Sequence, residues 1–139
     1  MRAYEFRGLD RNDGLVKEIE RIDFKNELVL FVGEDAWVDF SNVEIMQFTG
    51  LYDKNGVKIF EGDILHLYGK DTINEYDWKA VVEFGNPNGL YSWGYQLNPI
   101  TEFGYNADIL AWIDVEECGI YAEVIGNIHE KENLWEQNV

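Results

Sequence analysis

The tetrapeptide Asp53-Lys54-Asn55-Gly56 constrains this chain more than any other feature. It stands between Val43-Glu44-Ile45-Met46-Gln47-Phe48, continued by Thr49-Gly50-Leu51, and Val57-Lys58-Ile59-Phe60. Asn-Gly tolerates positive φ, and in a two-residue type I′ turn its twist matches that of antiparallel strands. A β-hairpin is therefore predicted, with Asn55 and Gly56 at the tip and Phe48 and Phe60 in its arms. Glu61-Gly62-Asp63 then precedes the apolar Ile64-Leu65-His66-Leu67. A glycine permits a sharp bend and an aspartate can hold nearby backbone N–H groups, which suits entry into a barrel strand.

The rest of the chain reads in the same way. Arg11-Asn12-Asp13-Gly14 is a turn after the alternating Tyr4 to Arg7. Leu15 to Phe24 partly fits a helical stripe through Leu15, Val16, Ile19 and Ile22, but the strand-turn-strand pattern after Asp23 favours extended structure. Leu28 to Val32 is an apolar run of strand length, and Ala36 to Phe40 alternates. Gly69 to Asp77 is polar and reads as a loop. Trp78 to Phe84 and Leu90 to Leu97 read as strands around the turn cluster Gly85-Asn86-Pro87-Asn88-Gly89, with Gly94 a bulge or close-packing point. Asp108 to Glu117 fits a strand or a short helix, Ile120 to Ile128 a closing strand, and Glu130 to Gln137 a short tail. The expected fold is all-β, or mainly β: a small strand meander over residues 1–45 packed on a β-barrel-like body over 46–139, with little helix. An aromatic content of 15% supports strands, because aromatic side chains suit a pleated, half-buried surface.

Charge narrows the function classes. Eleven Lys and Arg against 27 Asp and Glu give a net charge of −16. Residues 71–139 hold only two of the basic residues, and none lies between Lys79 and Lys131. Nucleic-acid binding depends on cations that neutralise phosphates, so neither DNA nor RNA is the expected partner. The excess acid serves solubility, or meets a basic partner. The opening Met-Arg-Ala-Tyr-Glu-Phe-Arg has no apolar core of a signal peptide, and no apolar run nears the roughly 18 residues of a membrane span. The single Cys118 and two histidines are a poor ligand supply for a metal. A cytoplasmic protein is expected, without membrane, metal or cofactor.

Candidate chemistry is sparse. Glu61 and Asp63 share one face of an extended segment, with His66 nearby, but an acidic turn entering a barrel strand accounts for them better than a hydrolytic or metal site, because no convergent ligand set is visible. His129 beside Glu130 reads as a surface residue. Gly50, Gly56 and Gly62 fall in hairpin turns rather than in a phosphate loop, and neither Ser41 nor Ser92 lies in a Gly-x-Ser-x-Gly elbow. Tyr91, Trp93 and Tyr95 point to one face of a strand; with Trp78 they form a candidate interaction surface. Base stacking on that platform would be opposed by the absence of flanking cations, which leaves core packing or a subunit contact.

Two blocks make the chain recognisable. Met46-Gln47-Phe48-Thr49-Gly50-Leu51-Tyr52-Asp53-Lys54-Asn55-Gly56-Val57-Lys58-Ile59-Phe60-Glu61-Gly62-Asp63-Ile64 is the first, and Glu123-Val124-Ile125-Gly126-Asn127-Ile128 with Glu130 is the second. A weaker third is Phe6-Arg7 with Leu9-Asp10. In order and content they resemble the YopX-like family of phage proteins, while Tyr68 to Gly119 matches only loosely. The resemblance implies an all-β fold, carriage on phage or prophage genomes, and a structural role for Thr49, Gly50, Asn55, Gly56, Glu61, Gly62, Asp63, Gly126 and Asn127. It hands over no catalytic residues. The functional expectation is a non-enzymatic accessory protein acting through protein contacts, with its own copies, as a homo-oligomer, and a host or phage protein as the expected partners. Two alternatives stand beside it: an acidic inhibitor or nucleic-acid mimic that occupies a basic host protein, and a nucleic-acid-binding β-barrel.

Overall fold

The computed structural model describes residues 5–70, 75–85, 94–99, 107–108 and 120–129. Among these residues eleven strands run in chain order: β1 (Phe6–Asp10), β2 (Leu15–Asp23), β3 (Leu28–Phe31), β4 (Val38–Asp39), β5 (Val43–Tyr52), β6 (Lys58–Phe60), β7 (Asp63–Lys70), β8 (Glu75–Gly85), β9 (Gly94–Pro99), β10 (Ala107–Asp108) and β11 (Ile120–Asn127). Among the described residues, the one helical element is a 3₁₀ turn at Phe40–Asn42. The protein is mainly β, with strand orders β4-β3-β2-β1-β5-β6 and β10-β9-β8-β7-β11 and antiparallel pairing. The described strands form open sheets, with β10 and β11 at opposite ends of the second, so the barrel-like closure expected from the sequence is not found among them. The chain separates into two compact units, Met1–Phe48 and Thr49–Val139, with the division inside β5.

In the first unit, Val29, Phe31 and Val43 are buried, and Ile19, Ile22, Val38, Phe40 and Ile45 pack on them. The helix-like spacing in β2 has a physical cause here. Ile19 pairs with Phe31 and Ile22 with Val29, and the register shifts between Ile19 and Arg21. Residues three apart face opposite ways in a regular strand. One extra residue, Glu20, bulges out and returns both isoleucines to the Phe31–Val29 side. A β-bulge thus imitates a helical period.

In the second unit, the core holds Ile59, Leu65, Leu67, Trp78, Ala80, Val82, Leu97 and Ala122, with Leu51, Tyr76 and Val124 against it. Full burial of each large aliphatic side chain contributes roughly 1.5–3 kcal/mol. Of the polar stretch Gly69 to Asp77 read as a loop, the described residues 69–70 and 75–77 are paired strand: Lys70 faces Glu75, Gly69 faces Tyr76 and Tyr68 faces Asp77. Polar residues there occupy the outward side of β7 and β8. From Gly94 onward the described pairing with β8 is continuous, Gly85↔Gly94 to Ala80↔Pro99. Asp108 to Glu117, apart from Asp108, and the tail after His129 lie outside the described residues.

Candidate functional site

The turn at residues 53–56 is not the two-residue type I′ turn that Asn-Gly suggests. Gly56 N donates to Asp53 O at 3.1 Å and Asp53 N to Val57 O at 2.8 Å, which closes a three-residue loop. Gly56 takes φ 80°, whereas Asn55 is not in the positive-φ region. This is the type I turn followed by a left-handed glycine, the G1-bulge hairpin. Its determinant is Asp53, whose Oδ1 accepts from Asn55 N at 2.8 Å and from Val57 N at 2.9 Å. Aspartate at the first position and glycine at the fourth is the signature of that turn.

Asp53 also reaches across the chain. It is 8% exposed, and its Oδ2 accepts from Val124 N at 2.9 Å. Lys54 N donates to Ala122 O at 3.1 Å. Strand β11 ends its sheet, and Ala122 and Val124, two apart, turn these backbone groups away from β7. The hairpin tip therefore satisfies an edge that would otherwise be open. A register shift between Val124 and Gly126 leaves Ile125 as a bulge beside this contact.

The other motif residues join the same framework. Thr49 Oγ1 donates to Ile59 O at 2.7 Å and accepts from Leu51 N at 3.1 Å, while Gly50 has φ 85°. Gly62 N donates to Val82 O and its carbonyl accepts from Ile128 N. Asp63 is 1% exposed; its Oδ2 accepts from Phe60 N at 2.8 Å. Asn127 pairs with Asp63 and Gly126 with Ile64, and Asn127 Oδ1 accepts from His129 N. Glu61 is half-buried at the bend. The two sequence blocks that carry the family resemblance thus meet in space.

The face of the second sheet opposite its core carries the polar and aromatic side chains. His66 and Tyr68 alternate on β7 with the buried Leu65 and Leu67. Glu123 lies opposite His66, and Tyr121 opposite Tyr68. The Tyr68 and Tyr121 rings are 5.8 Å apart, and the His66 and Tyr68 rings 4.7 Å. Lys54 Nζ sits 5.0 Å from the Tyr68 ring centre and 5.5 Å from that of Tyr121. Tyr68 Oη donates to Glu123 Oε2 at 3.3 Å. The Tyr68 hydroxyl, and further off the Glu123 charge, favour the protonated ammonium and raise the pKa of Lys54. On the other side of Tyr68, a shallow cleft of about 430 Å³ is lined by His66, Tyr68, Gly69, Lys70, Glu75, Tyr76 and Asp77. His66 Nε2 and Asp77 Oδ1 lie 2.6 Å apart across it.

The residues singled out in sequence go to different places. Trp78 is 3% exposed and belongs to the core cluster, so it is not part of an exposed interaction surface. Tyr91 and Trp93, the side chain of Tyr95, and Cys118 lie outside what is described. Glu61, Asp63 and His66 are not gathered into one ligand set. Asp63 binds the Phe60 amide and His66 approaches Asp77. Among the described residues no three His, Cys, Asp or Glu side chains are placed to hold a metal. No described helix is long and apolar enough to cross a membrane. The Lys54–Tyr68–Tyr121–Glu123 group escaped the sequence reading, although the alternation of His66 with Tyr68 and of Tyr121 with Glu123 signals a shared face.

Comparison with known proteins agrees with this framework. The crystal structure of protein EF1440 from Enterococcus faecalis is similar to this chain, with a TM-score of 0.54 and 26% identity, over 94% of this chain and 96% of that one. No curated protein matches. The family model described as YopX protein matches residues 5–136, nearly the whole chain and all the motif positions above. The chain belongs to the YopX family.

Proposed function

We propose that this YopX-family protein is a non-enzymatic accessory protein of phage or prophage origin, acting in the host cytosol through contacts with other proteins, its own copies first among them. The observation that carries this reading is the set of large apolar side chains left to water. In the first unit Phe24 is 73% exposed, at 6.2 Å and edge-on to Phe40. In the second, Phe84 is 57% and Tyr52 51% exposed. An aromatic side chain covers about 150–250 Å² when fully buried, so each of these offers an anchor that a partner surface would cover. Sixteen net negative charges per chain oppose association, most strongly at low salt.

Size-exclusion chromatography with light scattering at several salt concentrations tests the reading. The expected mass is a multiple of 16.2 kDa that grows with salt, and Phe24→Ser or Phe84→Ser should lower it. A mass of one chain at high protein concentration and moderate salt would contradict it. The same charge supports a second reading, an acidic inhibitor that occupies a basic host protein, which affinity capture from lysogenic cells would test.

A further inference from the structure

We propose that Tyr68, Tyr121 and Glu123 form a receptor for a lysine or arginine side chain presented by a basic segment of a partner protein, and that Lys54 occupies this receptor as an internal placeholder. The proposal rests on the reading of the protein as one that works through protein contacts, and it names the chemistry of the second partner.

Three observations converge. The first is the occupant. An ammonium already sits over two tyrosine rings, at 5.0 and 5.5 Å from their centres, within the roughly 6 Å at which a ring quadrupole attracts a cation. What attracts one ammonium attracts another of the same chemistry. The second is the carboxylate. Glu123 Oε2 accepts from the Tyr68 hydroxyl at 3.3 Å and adds a negative charge at the rim. The third is the way Lys54 is held. Its backbone is fixed to β11 through Lys54 N and Ala122 O, and its neighbour Asp53 through Val124 N. The side chain can therefore leave by rotating about its own bonds while the turn keeps its place. The cleft beyond Tyr68 continues the surface toward Glu75 and Asp77, with His66 and Lys70 on its walls. A basic segment could thus set one cation over the rings and its neighbour against Asp77, whose side chain is 80% exposed. A net charge of −16 draws such a segment in.

The probe is the peptide acetyl-tetralysine-amide, with acetyl-tetraglutamate-amide as control, titrated into the full-length chain at low and moderate salt. NMR of the Lys54 side chain reads the site directly, because methylenes above the rings are shifted upfield. The tetralysine peptide should move the Lys54 signals toward free-lysine values; tetraglutamate should not. Lys54→Ala should bind tetralysine several-fold more tightly. Tyr121→Leu and Glu123→Gln should each weaken binding roughly two- to fivefold, the scale of one exposed cation–π contact. Tyr121 is 47% exposed, so its replacement leaves the core intact. Equal affinity of the wild type and the charge-neutral Tyr121→Leu would show attraction by net charge alone and would overturn the receptor. So would Lys54 signals that stay fixed at saturation. Light scattering on the same variants separates the outcomes: an unchanged mass beside a failed titration removes this proposal and leaves self-association standing.

Discussion

The two units fix their turns with the same side chain in two different ways. In the first unit aspartates act locally. Asp10 Oδ1 accepts from Asn12 N, Asp13 Oδ1 from Leu15 N, Asp23 Oδ1 from Lys25 N and Asn26 N, and Asp39 Oδ1 from Ser41 N. In the second unit Asp53 does the same for Asn55 and Val57, then joins Val124, 71 residues along the chain. A local aspartate shapes one turn; a shared one makes the turn part of the tertiary structure. Much of the acid in this protein is therefore structural, and its abundance does not announce catalysis.

The largest expected effect follows from that difference. Asp53→Ala leaves three backbone donors without their carboxylate, and it should destabilise the second unit by about 2–4 kcal/mol in chemical denaturation. Asp23→Ala removes a half-buried acceptor that serves only its own turn and should cost only a small fraction of that. Equal losses in the two variants would erase the distinction.

The first unit has cross-chain contacts of its own: Arg11 meets Glu44 at 2.8 Å on the surface, and a more buried cluster forms around Lys17. Lys17 Nζ meets Asp10 Oδ2 at 2.9 Å, Asp13 Oδ2 at 2.8 Å and Glu34 Oε2 at 2.8 Å, and lies 4.7 Å from the Phe31 ring centre. Burial alone would lower the Lys17 pKa, but hydrogen bonds to Asp13, Glu34 and Asp10 win and hold it above the ordinary lysine value. The Lys17 hydrogen bond, then the Leu15 amide, lowers the pKa of Asp13. The Asp13 contribution to stability is present above the ordinary value of 3.8 and disappears as pH falls through the lowered folded value. The Lys17 contribution is complete below 10.5 and disappears as pH rises through its raised folded value. Lys17→Met should cost roughly 1–2 kcal/mol at neutral pH, since Asp10 is 4% exposed and loses its counter-charge. It should also flatten the loss of stability toward acid. An unchanged acid limb in urea titrations at pH 3 to 7 would refute that role.

Gly56→Val should cost about 1 kcal/mol, less than Asp53→Ala or Lys17→Met. Nothing lies within 4 Å of a Cβ built there, so only the left-handed backbone resists the substitution. A thermal midpoint equal to that of the wild type would show that the turn relaxes freely.

Most of the strand pattern was legible because turns are written in Gly, Asn and Asp. The hairpin position came from Asn55-Gly56, but the turn type came out differently, because Asp53 rather than Asn55 directs the loop. The ambiguity of Leu15 to Phe24 came from a bulge at Glu20, which no local rule announces. The polar run after Gly69 hid two paired strands, because an outward sheet face is composed like a loop. Burial of Trp78 rather than exposure depended on which face of β8 met the core. The joining of Asp53 to Val124 and the seating of Lys54 over two tyrosines are long-range facts that a single sequence does not contain.

Native-state hydrogen exchange of the Val124 amide reads the joining of the hairpin tip to β11 through Asp53. This N–H points away from β7 at the edge of the described sheet, and among the described residues its acceptor is the Asp53 carboxylate. The account predicts slow exchange in the wild-type protein and selective acceleration of Val124 in Asp53→Ala, with the amides of Leu65 and Leu67 changing less. Rapid exchange of Val124 in the wild type, or exchange that Asp53→Ala leaves untouched, would contradict it.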